Sequence, residues 1–202
     1  MAWENNGDAL DRPPYLLLAS ASPRRRELLA ELGVTFTVVA AGVVEDEDPL
    51  LDPRRMVAHN AALKADWVAA RHPSAVVLGA DTTVALDGQA LNKPADPTAA
   101  RAMLRALSGR THRVVTGVAV RSLDRGFRLD ADAIAEVTFK SFDDTVIDEY
   151  LRRVHVFDKA GGYGIQDHGE LLVAHFKGEL STIVGLPLSL TKQFLTEAGL
   201  LD

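Results

Sequence analysis

Within Ser20-Ala21-Ser22-Pro23-Arg24-Arg25 the chain brings together two hydroxyls, two guanidiniums and the free backbone N–H groups of an expected helix start. That combination suits a polyphosphate. A helix N-terminus carries partial positive charge, and arginine forks match phosphate oxygens two bonds at a time. A capped surface helix with a basic first turn would use the same residues, although cations at a helix N-terminus oppose its dipole. Asp81 is the second candidate. It follows the apolar run Ala75-Val76-Val77-Leu78 in Gly79-Ala80-Asp81-Thr82, which places a carboxylate at an expected strand end, where α/β sheets put ligand chemistry. There it can bind a divalent cation, activate water or cap the next turn. Read singly, Lys64 and Lys93 are surface lysines, and Glu45-Asp46-Glu47-Asp48 is a solvated acidic loop.

Other chemistries lack their residues. The six histidines are scattered, with no i, i+4 pair to hold a metal, and cysteine is absent, which removes thiolate catalysis, disulfides and zinc-thiolate sites. There is no Gly-Lys-Ser/Thr phosphate loop, no Gly-x-Gly-x-x-Gly after a strand and no Gly-x-Ser-x-Gly elbow. A net charge of −6 argues against sequence-tolerant binding of polymeric nucleic acid, which needs a broad basic surface. A small anion in a local basic cleft stays open. No run approaches the roughly 20 apolar residues that span a bilayer, so no membrane partner is expected and the cytoplasm is the default location.

At 202 residues with 47% apolar and 25% charged side chains, the composition is that of an ordered globular chain. Residues 1–14 are polar and acidic and read as a flexible leader, and residues 15–202 as a single domain without a linker or repeat. The buried run Tyr15–Ala19 is read as a strand, followed by a helix with Ser22 as N-cap, Pro23 at its first position and Leu28, Leu29 and Leu32 inward. Thr35–Ala40 is a second strand. Asp52-Pro53 starts a longer helix with Met56, Leu63 and Trp67 on one face and Lys64 beside it. Asp87-Gly88 marks a hairpin between Val84–Leu86 and Gln89–Leu91, and Asp96-Pro97 caps a helix that runs through Leu107. Strands are expected from about His112 to Arg121 and, antiparallel to it, from Phe127 to Phe139, where Ala131, Ala133, Ala135, Val137 and Phe139 alternate inward. Asp143 caps a helix bearing Ile147 and Tyr150. The glycine-rich Asp158–Gly164 lets backbone approach a ligand. Leu171–Lys177 and Ser181–Val184 are expected to form a last hairpin about Gly178-Glu179, before a helix from Pro187 to about Leu200. The fold class is therefore α/β with a mixed sheet.

Taken together, Ser20–Arg25, Gly79–Thr82, Lys93-Pro94, Ser108-Gly109-x-Thr111-His112, Asp158–Gly161, Tyr163-Gly164-Ile165-Gln166 and Gly185-Leu186-Pro187 resemble the Maf family in order and spacing, across about Leu16 to Leu195. The resemblance implies an elongated mixed sheet flanked by helices, two lobes around a deep cleft, and a fold similar to inosine triphosphate pyrophosphatase. It implies hydrolysis of nucleoside triphosphates to a monophosphate and pyrophosphate with a divalent metal, Mg²⁺ or Mn²⁺, and a homodimer. By position Asp81 matches the proton acceptor, and Arg24, Thr82 and Gln166 match the specificity positions. Ser20, Arg25, Glu45, Lys64 and Lys93 match other cleft residues. From these matches, catalysis is expected of Asp81, Lys64 and Lys93, substrate binding of Ser20, Arg24, Arg25, Thr82 and Gln166, and metal binding of Glu45 and Asp81. Arg24, Arg25, Lys64 and Lys93 would face the phosphates. A nucleotide-binding regulator of cell division or septum formation, without essential turnover, is the alternative.

The Gln166 amide can complement the O4 and N3–H of uracil or thymine, and guanine offers a similar O6 and N1–H pair. The intact Tyr163–Gln166 motif resembles the subgroup acting on dTTP and UTP rather than that acting on 7-methyl-GTP. Three departures bear on base choice: Gly162 for a usual alanine, Asp167 for a common glycine, and Arg153–Phe157 for a Gly-Glu-Pro-containing lead-in. Asp167 would repel phosphate or bind an amino group of another base.

Overall fold

The computed structural model describes residues 15–202; the expected leader, residues 1–14, lies outside them. Three leucines make the first strand, β1 (Leu16–Leu18), which pairs in parallel with β2 (Phe36–Val38) and with the beginning of β3 (Val76–Leu86). β3 then turns at Asp87-Gly88, both with positive φ, into β4 (Gln89–Leu91), the hairpin expected there. β5 (Thr111–Ser122), β6 (Phe127–Phe139) and β7 (Val173–Lys177) continue the sheet antiparallel. The sheet has seven strands in the order β2-β1-β3-β5-β6-β7, with β4 beside β3. This is the expected α/β architecture with a mixed sheet.

Five of the six α-helices among the described residues are α1 (Pro23–Glu31), α2 (Pro53–Ala69), α3 (Pro97–Leu107), α4 (Asp144–Arg153) and α6 (Leu188–Glu197). The first four start as their sequences dictate. Ser22, Asp52, Asp96 and Asp143 each accept a hydrogen bond from a backbone N–H of the first turn, and a proline opens each of the first three. Period-two alternation sorts the strands onto two covered faces. Leu16, Leu18, Val76, Leu78, Val118 and Val120 pack with Leu28 and Leu29 of α1 and Phe194 and Leu195 of α6. Leu17, Val77 and Ala119 pack beneath Ala61, Ala65 and Val68 of α2. A third cluster, at the β4 end, joins Val84, Val114 and Val137 to Leu104, Leu107, Ile147 and Tyr150 of α3 and α4. Each such leucine or valine, fully buried, contributes about 1.5–3 kcal/mol.

Three expectations change. α2 presents Val57, Asn60, Ala61, Lys64, Ala65 and Val68 inward, while Leu63 and Trp67 are only half-buried, so Lys64 lies on the inward stripe itself rather than beside it. Small residues win this face because α2 lies almost against the sheet. A Cβ on Gly117 would stand 2.6 Å from the Val57 carbonyl oxygen, and one on Gly79 would stand 2.9 Å from the Ala65 nitrogen. Second, Leu180–Val184 is a short helix, α5, closed by Gly185 at φ 126°, and not the second arm of a hairpin. The β-branched Thr182-Ile183-Val184 misleads, because a short apolar run fits either state until its neighbours decide; here Ser181 and Thr182 are buried in the helix. Third, β3 runs through Asp81 to Leu86, so Asp81 is in mid-strand and not at a strand end.

That third change locates the cleft. β1 follows β3 only to the Leu18–Leu78 pair, and β4 joins only at the Val84–Leu91 pair. Residues 79–83 therefore have no strand partner on that side among the described residues, while β5 backs them on the other. Within this gap, alternation sends Asp81 toward α2 and Thr82 toward α1 and α5.

Candidate active site

Asp81 lies at the floor of the gap, 8% exposed, with Lys64 7% exposed above it on α2. Lys64 Nζ donates to Asp81 Oδ1 at 2.9 Å and to Glu45 Oε2 at 2.7 Å. One ammonium thus gathers two carboxylates. Asn60, one helical turn before Lys64, donates to Asp81 Oδ2 at 3.0 Å. Burial pushes the Asp81 carboxyl up, but the charges of Lys64 and Arg25 and the hydrogen bonds from Lys64 and Asn60 outweigh it and hold it below the usual carboxylate value. Asp81 is therefore ionised at neutral pH.

On the other face of β3, Arg25 closes the α1 entrance. Its Nε donates to the Gly185 carbonyl at 2.8 Å, and its two terminal nitrogens to Ser20 Oγ at 3.3 Å and Thr82 Oγ1 at 3.0 Å. Thr82 in turn bonds Thr116 Oγ1 at 2.9 Å. Burial lowers the Arg25 guanidinium from its usual value against the pull of Asp81 and Glu45; an arginine remains charged nonetheless. Arg25 is spent on protein acceptors, so it acts here as a brace and as a positive field. Arg24 differs. Its guanidinium meets Asp158 Oδ2 at 3.0 Å, with the side chains 27% and 46% exposed, and an ion pair this open is worth about 0–1 kcal/mol. An arriving phosphate can take Arg24 from Asp158 at little cost. Lys93 is exposed, and no acceptor holds its ammonium among the described residues.

These residues line one cleft of about 530 Å³, together with Gln166, Lys159, Tyr163 and Phe157. Ser20, Arg24, Arg25, Glu45, Lys64, Asp81, Thr82, Lys93 and Gln166, nominated from the sequence, all border it. Gln166 is exposed, and its amide makes no hydrogen bond among the described residues. Asp167 Oδ2 lies 3.5 Å from Lys159 Nζ, which also donates to Asp158 Oδ1 at 2.9 Å and the His155 carbonyl at 2.6 Å. Asp167 thus faces a cation and helps tie residues 155–159 to residues 164–167. Tyr163 is buried and bonds His112 Nε2 at 2.7 Å. Burial lowers His112 to about 4, so that ring is neutral.

For a divalent cation the protein offers two carboxylates, Glu45 and Asp81, and no group of three or more acidic or histidine side chains forms among the described residues. That fits Mg²⁺, which is held by one or two carboxylates and completes its shell with substrate phosphates and water. Sequence reasoning missed Asn60 and Lys159. Asn60 stands four residues before Lys64, hence on the same helix face, and that spacing was the available signal. Lys159 sits inside the glycine-rich Asp158–Gly164 segment.

A family model described as "Maf-like protein" matches residues 15–198. A protein of Deinococcus radiodurans named dTTP/UTP pyrophosphatase is 47% identical over 92% of this chain and 94% of its own. One of the same name from Moorella thermoacetica is 47% identical over 91% and 95%, and one from Akkermansia muciniphila 43% over 87% and 92%.

Proposed function

The chain belongs to the Maf family, and from that premise we propose that it hydrolyses nucleoside triphosphates, dTTP and UTP foremost, to the monophosphate and pyrophosphate. The observation that carries this reading is the convergence, in one cleft, of an ionised buried carboxylate, Asp81, with the cations Lys64, Arg24, Arg25 and Lys93. Phosphoanhydride hydrolysis asks for little else, because catalysis there is mostly positioning and charge neutralisation.

In the reaction a water oxygen bonds to the α-phosphorus, the bond from that phosphorus to the bridging oxygen breaks, and pyrophosphate leaves with the electron pair. Asp81 accepts a hydrogen bond from the attacking water and takes its proton at a carboxylate oxygen as the new bond forms. Its low basicity in the free protein reflects the neighbouring charges of Lys64 and Arg25. Arg24 and Lys93, held weakly or not at all, are the cations free to turn onto the leaving phosphates. Arg25 contributes field from its fixed place beneath them. Glu45 and Asp81 would hold the divalent cation, which when bound neutralises phosphate charge and polarises the reacting phosphoryl group.

At the other end, the free amide of Gln166 offers a donor and an acceptor to a pyrimidine edge. The dTTP/UTP preference is supported by the named relatives and by the intact Tyr163–Gln166 segment. No helix among the described residues is long and apolar enough to cross a membrane. The test is release of pyrophosphate and of orthophosphate across canonical and modified nucleotides, with and without Mg²⁺ or Mn²⁺. dTTP and UTP should release pyrophosphate fastest and only with metal. A clear preference for 7-methyl-GTP, or orthophosphate as the product, would contradict the reading.

A further inference from the structure

Asn60 is a polar side chain on the small, apolar face that α2 lays on the sheet. It is 2% exposed, with Val57 and Ala61 beside it and Lys64 one turn on. A buried amide destabilises unless its groups are bonded, and here both ends are used. Nδ2 donates to Asp81 Oδ2 at 3.0 Å and to the Asp46 carbonyl at 2.9 Å, and Oδ1 accepts from the Asp46 N–H at 2.8 Å. The opposite orientation of the amide would set its oxygen against a carboxylate and a carbonyl, so the bonding itself fixes which atom is nitrogen.

We propose that Asn60 is a positioning residue for hydrolysis, fixing the plane of the Asp81 carboxylate and fastening the acidic loop that carries Glu45 across the floor of the cleft. The inference rests on the reading of Asp81 as the group that receives the water proton. Lys64 alone holds Asp81 by one oxygen and leaves rotation about the carboxylate bond. Asn60 on the other oxygen removes that freedom, so the atom that meets the water is set before substrate arrives. The loop needs the second half of the clamp. Val44, Glu47, Asp48 and Leu50 are exposed, and the loop's ties to the body are Lys64 on Glu45, Asn60 on Asp46 and Asn92 Nδ2 on the Glu47 carbonyl at 2.8 Å. A leucine at position 60 would keep the branched outline of asparagine without its polar atoms. It would leave the Asp46 N–H and carbonyl unpaired and Asp81 held by Lys64 alone, so what the amide supplies is geometry rather than packing.

The experiment compares wild type, Asn60→Leu, Asn60→Asp and Asp81→Asn. It measures kcat and KM for dTTP at saturating Mg²⁺, thermal midpoint, and hydrogen exchange at the Asp46 amide. Asn60→Leu should lower kcat about ten- to hundredfold with KM changed less than about threefold, and should speed exchange at Asp46. Asn60→Asp, which sets an oxygen against Asp81, should lower kcat further. Asn60→Ser serves where leucine prevents folding; it is too short to make the Asp46 pair, and the same fall in kcat is expected. A lowered midpoint with kcat per folded molecule unchanged would overturn the proposal, as would unaltered exchange at Asp46. If Asp81→Asn is inactive while Asn60→Leu keeps wild-type kcat, the Asn60 role alone falls. If Asp81→Asn turns over at the wild-type rate, the reading beneath it falls as well.

Discussion

The two ends of the cleft are built differently. At the floor, Lys64, Asp81 and Asn60 are buried, stand in the middle of α2 and β3, and hold one another by bonds of 2.9 and 3.0 Å. At the rim, Gln166 is exposed on irregular chain, Asp158 and Asp167 have side chains 46% and 44% exposed, and one lysine ties their segments together. Groups that must meet a reacting atom within a few tenths of an ångström sit on rigid elements with locked partners, and groups that choose among bases sit on loops. The floor should therefore be intolerant and the rim adjustable.

The largest expected effect is at the floor. Lys64→Met removes the ammonium between two carboxylates and leaves Asp81 buried without its closest cation. Loss of one partner of a buried pair costs about 3–5 kcal/mol, measurable in urea unfolding, and turnover should fall at least about a hundredfold. Near-normal stability would mean that the floor is less tightly coupled than its geometry suggests.

Away from the floor, His112 is a second weak point: it is buried in β5 and bonded to Tyr163, three residues before Gln166. Its value of about 4 in the folded chain lies below the ordinary 6.5, so the unfolded state binds the extra proton. The stability its neutral ring contributes is present above pH 6.5 and is lost as pH falls toward 4, about 3 kcal/mol in all. Unfolding followed over that range should show an acid slope that His112→Gln reduces by close to one proton. An unchanged slope would assign the acid loss to carboxylates elsewhere.

Smaller effects follow at the base reader. Gln166→Ala should lower the preference for dTTP over dCTP about tenfold, a loss of roughly 1.4 kcal/mol in discrimination. Asp167→Gly should shift the same ratio only about two- to fivefold, because Lys159 keeps two other acceptors. An Asp167 effect as large as that of Gln166 would make the carboxylate a reader of the base in its own right.

Much of the fold was legible in sequence, residue by residue. Ser22, Asp52, Asp96 and Asp143 announce helix starts because capping is local chemistry, and Asp87-Gly88 announces its hairpin for the same reason. What was not legible depends on partners distant in the chain. Asp81 looked like a strand terminus because the apolar run stops before it, yet β5 carries β3 onward to Leu86. Lys64 and Asn60 face inward because Gly79 and Gly117 admit α2 so closely, a fact no helical periodicity contains. The pairing of Asp167 with Lys159, 3.5 Å away, comes from the fold of the loop and not from any local motif. The helix at Leu180–Val184 was hidden by its β-branched residues.

The most direct test of this division sets Asp81→Asn beside Gln166→Ala and measures kcat for pyrophosphate release from dTTP together with the dissociation constant of dTTP. Asp81→Asn should lose at least about a hundredfold in kcat while still binding nucleotide, and Gln166→Ala should keep kcat within about threefold while binding dTTP more weakly. Wild-type kcat in Asp81→Asn, or a collapse of kcat in Gln166→Ala with binding intact, would contradict it.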